Sequence, residues 1–146
     1  MKNEAPQFVP VRRDLLVREL SDEVVLYDKG TSKAHCLNQT AAAVWKLCNG
    51  ERSVAEIARG LQQILPVPGD EGLVWIALCQ LSKSGLLQNE IPPLIKRDVL
   101  SRRELVRRMG IAATMALPIA TSILVPTPAA AVSPPLKSGR QVPSRR

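Results

Sequence analysis

The chain has 146 residues, 45% of them hydrophobic and 23% charged, which suits one domain with additions and excludes a wholly disordered chain. Its aromatic residues are Phe8, Tyr27, Trp45 and Trp75, too few for a base-stacking surface on single-stranded nucleic acid. The net charge of +7 lies in the tail: residues 1–100 carry 12 Lys+Arg and 12 Asp+Glu, while residues 101–146 carry eight basic residues and one acid, Glu104, so the folded part has no nucleic-acid charge signature.

Residues 1–13, with Pro6, Pro10 and the pair Arg12-Arg13, read as an N-terminal arm. Three short strand-compatible segments follow, Leu15–Leu20, Glu23–Tyr27 and Lys33–Leu37. The turn signals Ser21-Asp22 and Asp28-Lys29-Gly30 separate them, and connections this short force antiparallel neighbours. The prediction is a three-stranded meander with the third and most polar segment at an edge. The period then changes. Ala41, Val44, Trp45 and Cys48 fall at i, i+3, i+4 and i+7, with Asn38 placed to cap a helix and Gly50 to stop it. Ser53 and Glu56 form a capping box ahead of Val54, Ile57, Ala58 and Leu61, with Ile64 and Leu65 extending the stripe to Pro66 and Pro68. Asp70 caps a third helix that stops near Gly85. Its run Leu73–Cys79 is apolar in every direction, which fits either a central helix packed on two sides or a helix with an open apolar groove.

Pro92-Pro93 marks the end of the unit, so the division is an arm (1–13), a domain (14–91), a linker (92–100) and a basic, apolar tail (101–146). The tail opens on Ser101-Arg102-Arg103-Glu104, a second capping box, and carries no charge from Met109 to Leu136. Met109–Val125 is a 17-residue apolar stretch interrupted by Pro118, at the short limit for crossing a bilayer. The basic head, apolar run and Ala129-Ala130-Ala131 are parts of an export signal, but they begin after 100 residues. Three readings of this helical or disordered tail stand: an anchor, a segment on an anionic membrane surface with residues 101–131 in contact, or a partner-binding or disordered extension. The second basic group, Lys137 to Arg146, counts against crossing.

The residues available for chemistry are few. The cysteines are Cys36, Cys48 and Cys79, none in C-x-x-C spacing, and the one histidine is His35. Cys48 and Cys79 fall in apolar periodic runs, where free cysteine packs as a small hydrophobe, and no metal site is assigned. Adjacent residues on a strand point to opposite faces, which separates His35 from Cys36 as a catalytic pair. The phosphate-binding, dinucleotide-binding, hydrolase-elbow and zinc-protease motifs are missing, so the expectation is a non-enzyme with no cofactor. Residues 1–20 lack the apolar run of a signal peptide, giving a cytoplasmic expectation with reduced thiols.

The run Leu37-Asn38-Gln39-Thr40-Ala41, then Val44-Trp45 and Leu47, then Asn49-Gly50 and Arg52-Ser53-Val54-Ala55-Glu56-Ile57 resembles the PqqD family, named for coenzyme PQQ synthesis protein D. The likeness covers roughly residues 14–88, with Asn49 in place of the usual Asp and Ser53 in place of Thr. It implies an α+β, winged-helix-like RiPP recognition element, three antiparallel strands followed by three helices. Such a domain binds the leader of a ribosomally made precursor peptide and presents it to a modifying enzyme, often a radical SAM protein. The leader would add beside the third strand, at Lys33, Ala34, His35, Cys36 and Leu37. It would rest on the third helix, where Leu73, Trp75, Ile76, Cys79 and Lys83 are the candidates. The competing reading is a winged-helix DNA-binding regulator. Against it, the recognition helix would open on Asp70-Glu71, two acids facing phosphate, in a domain of zero net charge.

Overall fold

The structure is a computed structural model and describes residues 7–91, 102–110 and 117–125. The elements in chain order are β1 (Leu15–Glu19), β2 (Glu23–Asp28), β3 (Lys33–Asn38), α1 (Gln39–Leu47), α2 (Val54–Ile64), α3 (Glu71–Lys83), α4 (Arg102–Met109) and β4 (Ala120–Leu124). The meander forms as its turns dictate. The Leu20 N–H donates to the Glu23 carbonyl across the first turn. In the second turn the Asp28 carboxylate accepts from the Gly30 N–H (2.8 Å) and the Thr31 hydroxyl (2.7 Å), holding its own pKa below the ordinary carboxylate value.

The sheet differs from the expectation in one decisive respect. It has four strands in the order β1-β2-β3-β4, all neighbours antiparallel, so β3 is an inner strand and not an edge. The fourth strand is Ala120–Leu124, part of the tail read as helical or disordered. Ile119, Thr121, Ile123 and Val125 alternate along it, three of them β-branched aliphatics with χ1 stiffness that suits a pleated strand, and Pro118 blocks a helix from entering. Among the described residues, no helix is long and apolar enough to cross a membrane. The Pro92-Pro93 boundary, Ser101 of the second capping box, the Ala129-Ala130-Ala131 site and Lys137 to Arg146 lie outside the described residues.

The three helices of the domain cover one face of the sheet. Cross-strand rows Val24–Leu37–Ala120 and Leu26–His35–Ser122 lie on this inner face. Val24, Leu26 and Leu37 are buried against Ala41, Val44, Ile57, Leu61, Leu73 and Leu78 from α1, α2 and α3. The caps stand where the residues place them. Asn38 accepts from the Ala41 N–H, Ser53 and Glu56 exchange both bonds of the box, and Asp70 accepts from the Gly72 and Leu73 N–H groups. α3 ends at Gly85 with φ +72°, where the Gly85 N–H reaches the Ser82 carbonyl and the Leu86 N–H the Leu81 carbonyl. Ile64 departs from the predicted stripe: it is 57% exposed at the last turn of α2.

The all-round apolar run of α3 is answered by neighbours on several sides. α1 and α2 pack on it, and α4 and β4 of the tail also lie against it. Residues 8–11, read as part of the arm, are docked on the same body. Phe8 is buried with its ring edge-on to Trp75 at 5.6 Å. The Val11 N–H donates to Leu86, the Gln88 N–H donates to Val9, and Pro10 bridges Leu87.

Gly50 is the joint of this arrangement. It has φ +86°, its N–H donates to the Phe8 carbonyl, and a Cβ there would lie 2.9 Å from Val9 Cγ2. Gly85 has the same sign of φ but open space around its Cβ position. Gly85→Ala therefore costs only backbone strain, about 1 kcal/mol. Gly50→Ala adds a clash and should cost about 2–3 kcal/mol, with loss of the Phe8 seat. Urea unfolding of the two variants checks the ranking, and equal losses would contradict the assigned role of Val9.

Candidate functional site

The outer side of β3 and the adjoining face of α3 are the surfaces that sequence reasoning singled out, and both are in use. β3 pairs with β4 in the register Lys33↔Leu124, Ala34↔Ile123, His35↔Ser122, Cys36↔Thr121 and Leu37↔Ala120. The ladder is bounded by the Asn38 N–H donating to Ile119 (3.1 Å) and the Val125 N–H donating to Ser32 (3.0 Å). In an antiparallel pair, bonded and non-bonded positions alternate. That phase makes Cys36↔Thr121 and Ala34↔Ile123 the positions whose backbone groups face one another.

Three side chains fix the strand in place. Asn38 is the most heavily used. Its Oδ1 accepts from the Ala41 N–H, capping α1, and also from the Ile119 N–H, both at 3.0 Å. Its Nδ2 donates to the Leu117 carbonyl at 2.8 Å. Gln80 on α3 accepts from the Ala120 N–H through Oε1 at 2.9 Å, using a backbone donor that points away from β3. His35 Nδ1 lies 2.7 Å from Ser122 Oγ. Sequence reasoning gave Asn38 the role of a helix cap within the family-resembling run and did not single out Gln80 or Ser122. The signal that was available is the β-branched run after Pro118.

The predicted residues divide as follows. Lys33 is exposed at the start of β3, Ala34, His35 and Leu37 are buried, and Cys36 is half-buried on the outer face. His35 and Cys36 do lie on opposite faces, as the strand period requires. On α3, helical spacing puts Leu73, Ile76, Gln80 and Lys83 on one side. Leu73 and Ile76 are buried there and Lys83 is exposed. Trp75 and Cys79 are both half-buried, and Trp75 stands against Phe8 rather than against β4. Among the described residues, no group of three or more His, Cys, Asp or Glu side chains could hold a metal ion.

The electrostatics are those of a packed peptide surface. Burial holds His35 below its ordinary value of 6.5, with Asp28 opposing that shift, so the folded chain keeps a neutral imidazole at neutral pH. Burial pushes the Cys48 thiol up to about 12, which leaves it an unreactive core group. The unfolded chain binds a proton at His35 more readily than the folded one. Folding stability from this residue is therefore complete above pH 6.5 and is lost as the pH falls from there through the lower folded value. Asp28 and Glu56 are held low by their hydrogen bonds and act in a separate window, nearer pH 4. Urea midpoints measured from pH 7.5 to 5 should fall for the parent chain and stay flatter for His35→Gln. Parallel curves would exclude His35 as the source.

The comparisons with known proteins agree with the family resemblance and narrow it. The model of the family described as Coenzyme PQQ synthesis protein D (PqqD) matches residues 23–86. No curated protein and no solved structure matches the chain. The matched span opens at the first residue of β2 and ends just past α3, so it holds Asn38, Gln80 and His35 but neither β1 nor the tail. Residues 23–86 thus match the PqqD family, the family of RiPP recognition elements.

Proposed function

We propose that residues 14–91 form a non-catalytic recognition domain. It binds the leader segment of a ribosomally made precursor peptide and presents it to a modifying enzyme, with a radical SAM protein as the enzyme class. The observation that carries this reading is the PqqD match over β2, β3 and the three helices. The geometry of β3 supports it, since the strand offers a full row of backbone groups on the side away from β2 and accepts an extended segment there. In this reading the strand and helix order is the winged-helix-like body of a recognition element. Lys33–Leu37 supply main-chain pairing, while Ile76, Gln80 and Lys83 face the bound segment from α3. Leu73 supports that face from within the core, and Trp75 and Cys79 lie to its flank.

Main-chain pairing suits this task because it holds a peptide in register with little demand on its sequence, leaving the enzyme free to act on the part beyond the leader. The role assigned to the chain is delivery, and no proton or electron transfer is assigned to His35 or the cysteines.

The test is titration of the full isotope-labelled chain with the precursor peptide encoded beside its gene. The expected result is saturable binding with amide shifts concentrated at Lys33–Leu37 and on the Gln80 face of α3. An introduced Ala34→Pro, which removes a backbone donor in the middle of β3, should weaken binding at least tenfold. Binding to duplex DNA with a steep salt dependence, and none to the peptide, would replace this reading with the regulator.

A further inference from the structure

The strand on β3 comes from outside the family-matched span, whereas the side chains that hold it come from inside. Asn38, Gln80 and His35 lie within residues 23–86, and Leu117–Val125 does not. The pairing covers Lys33–Leu37, the stretch assigned above to the leader. One side of a strand pairs with one partner at a time.

We propose that Leu117–Val125 is a ligand of the recognition edge supplied in cis, and that it displays the pattern an incoming leader must reproduce to displace it. The inference rests on the peptide-recognition reading and adds to it a competitor and a ligand chemistry. The pattern is a short extended stretch with a small side chain opposite Leu37, a hydroxyl opposite His35, and backbone carbonyls within reach of Asn38. Ala120 supplies the small side chain, packed half-buried against the core beside fully buried Leu37. Ser122 supplies the hydroxyl. Side chains outside this pattern are little constrained: Ile123 on the opposite face is 60% exposed, and Leu124 at the end of the strand is 73% exposed.

The same numbers explain why such a contact is exchangeable. β4 buries little of its own apolar surface, so its hold is mostly backbone pairing plus the Asn38, Gln80 and His35 contacts. A tether raises its local concentration to the order of millimolar, which keeps a modest ligand in place. A leader that makes the same backbone bonds and adds apolar contacts displaces it. Until then the apparent affinity for leader is reduced by the fraction of chains with a vacant edge.

The test uses the full chain and a fluorescein-labelled synthetic peptide spanning residues 116–126. Thr121→Pro with Ile123→Pro removes the two tail N–H groups that face β3. Ala120→Arg is the independent variant, since its side chain cannot occupy the site beside Leu37. Both changes lie in the tail, and the α-helical signal at the temperature of the binding assay should match that of the parent chain. The labelled peptide should bind both variants at least tenfold more tightly than the parent chain, with amide shifts at Lys33–Asn38 and Gln80. A Ser122→Val version of the peptide should bind several-fold more weakly. Equal affinity for parent and variants, no binding to either variant at millimolar peptide, or shifts elsewhere would overturn the proposal. Because the probe is the chain's own segment, the result does not depend on a leader. A chain that binds this probe but no precursor keeps the cis ligand of β3 and loses the proposed function together with the leader pattern. A chain that binds precursor equally with and without an intact β4 keeps the function and loses the inference.

Discussion

β3 has to be paired on both sides. Its inner-face side chains, His35 and Leu37, are buried, so the strand lies at the heart of the sheet and cannot be left with one solvated edge at no cost. β2 satisfies one side through the short Asp28–Thr31 turn, which fixes the register locally. The other side receives a segment more than 80 residues away in sequence, as the 87-residue separation between His35 and Ser122 shows. The arrangement of α3, α4 and β4 follows from bringing that distant segment home.

Asn38 is where the local and the distant parts of the fold meet. The residue ends β3, caps α1 and grips the tail at Leu117 and Ile119, all through one short side chain and its own N–H. Its Oδ1 accepts two backbone donors and so satisfies the start of a helix and the start of a strand together. Helix-capping energetics alone give about 1 kcal/mol for such a residue. Its hold on the tail adds the Nδ2 bond to Leu117, while Oδ1 is shared between the cap and the tail, so loss of the side chain weakens both at once.

Much of this domain could be read from residues. Short turns force antiparallel neighbours, and Ser53, Asp70 and Gly85 announce helix ends through requirements that act within four residues. These local signals put the three strands and three helices where they lie. The fourth strand could not be read in this way, because nothing near residues 117–125 says which edge they pair with. The same Ile, Ala and Val residues that make a strand also raise the hydropathy of the 17-residue run Met109–Val125, and that hydropathy is what gives the run its membrane reading. Only β-branched alternation after Pro118 separated the two. The candidate surface on β3 and α3 was proposed from the Leu37–Ile57 run, which carries the family resemblance. Gln80 and Ser122 were not, because their roles exist only once the tail is docked. Trp75 looked like part of an open groove, and its actual neighbour, Phe8, sits in a stretch whose prolines suggested a loose arm.

The docking of that N-terminal stretch gives the chain an optical property. The sequence contains two tryptophans, and both have a neighbour from residues 8–12: Phe8 stands edge-on to Trp75, and the Arg12 guanidinium lies 5.3 Å from the centre of the Trp45 ring. Trp45 Nε1 is buried with no hydrogen-bond partner among the described residues, and its ring lies beneath a cation. Intrinsic emission from this chain therefore reads the seating of its first strand-free segment. Residues 120–124 pair with β3 and are followed through the backbone amides of that strand. Residues 8–12 and residues 117–125, both folded back on the same small body, can thus be followed by separate signals: fluorescence for the first, and amide resonances along β3 for the second.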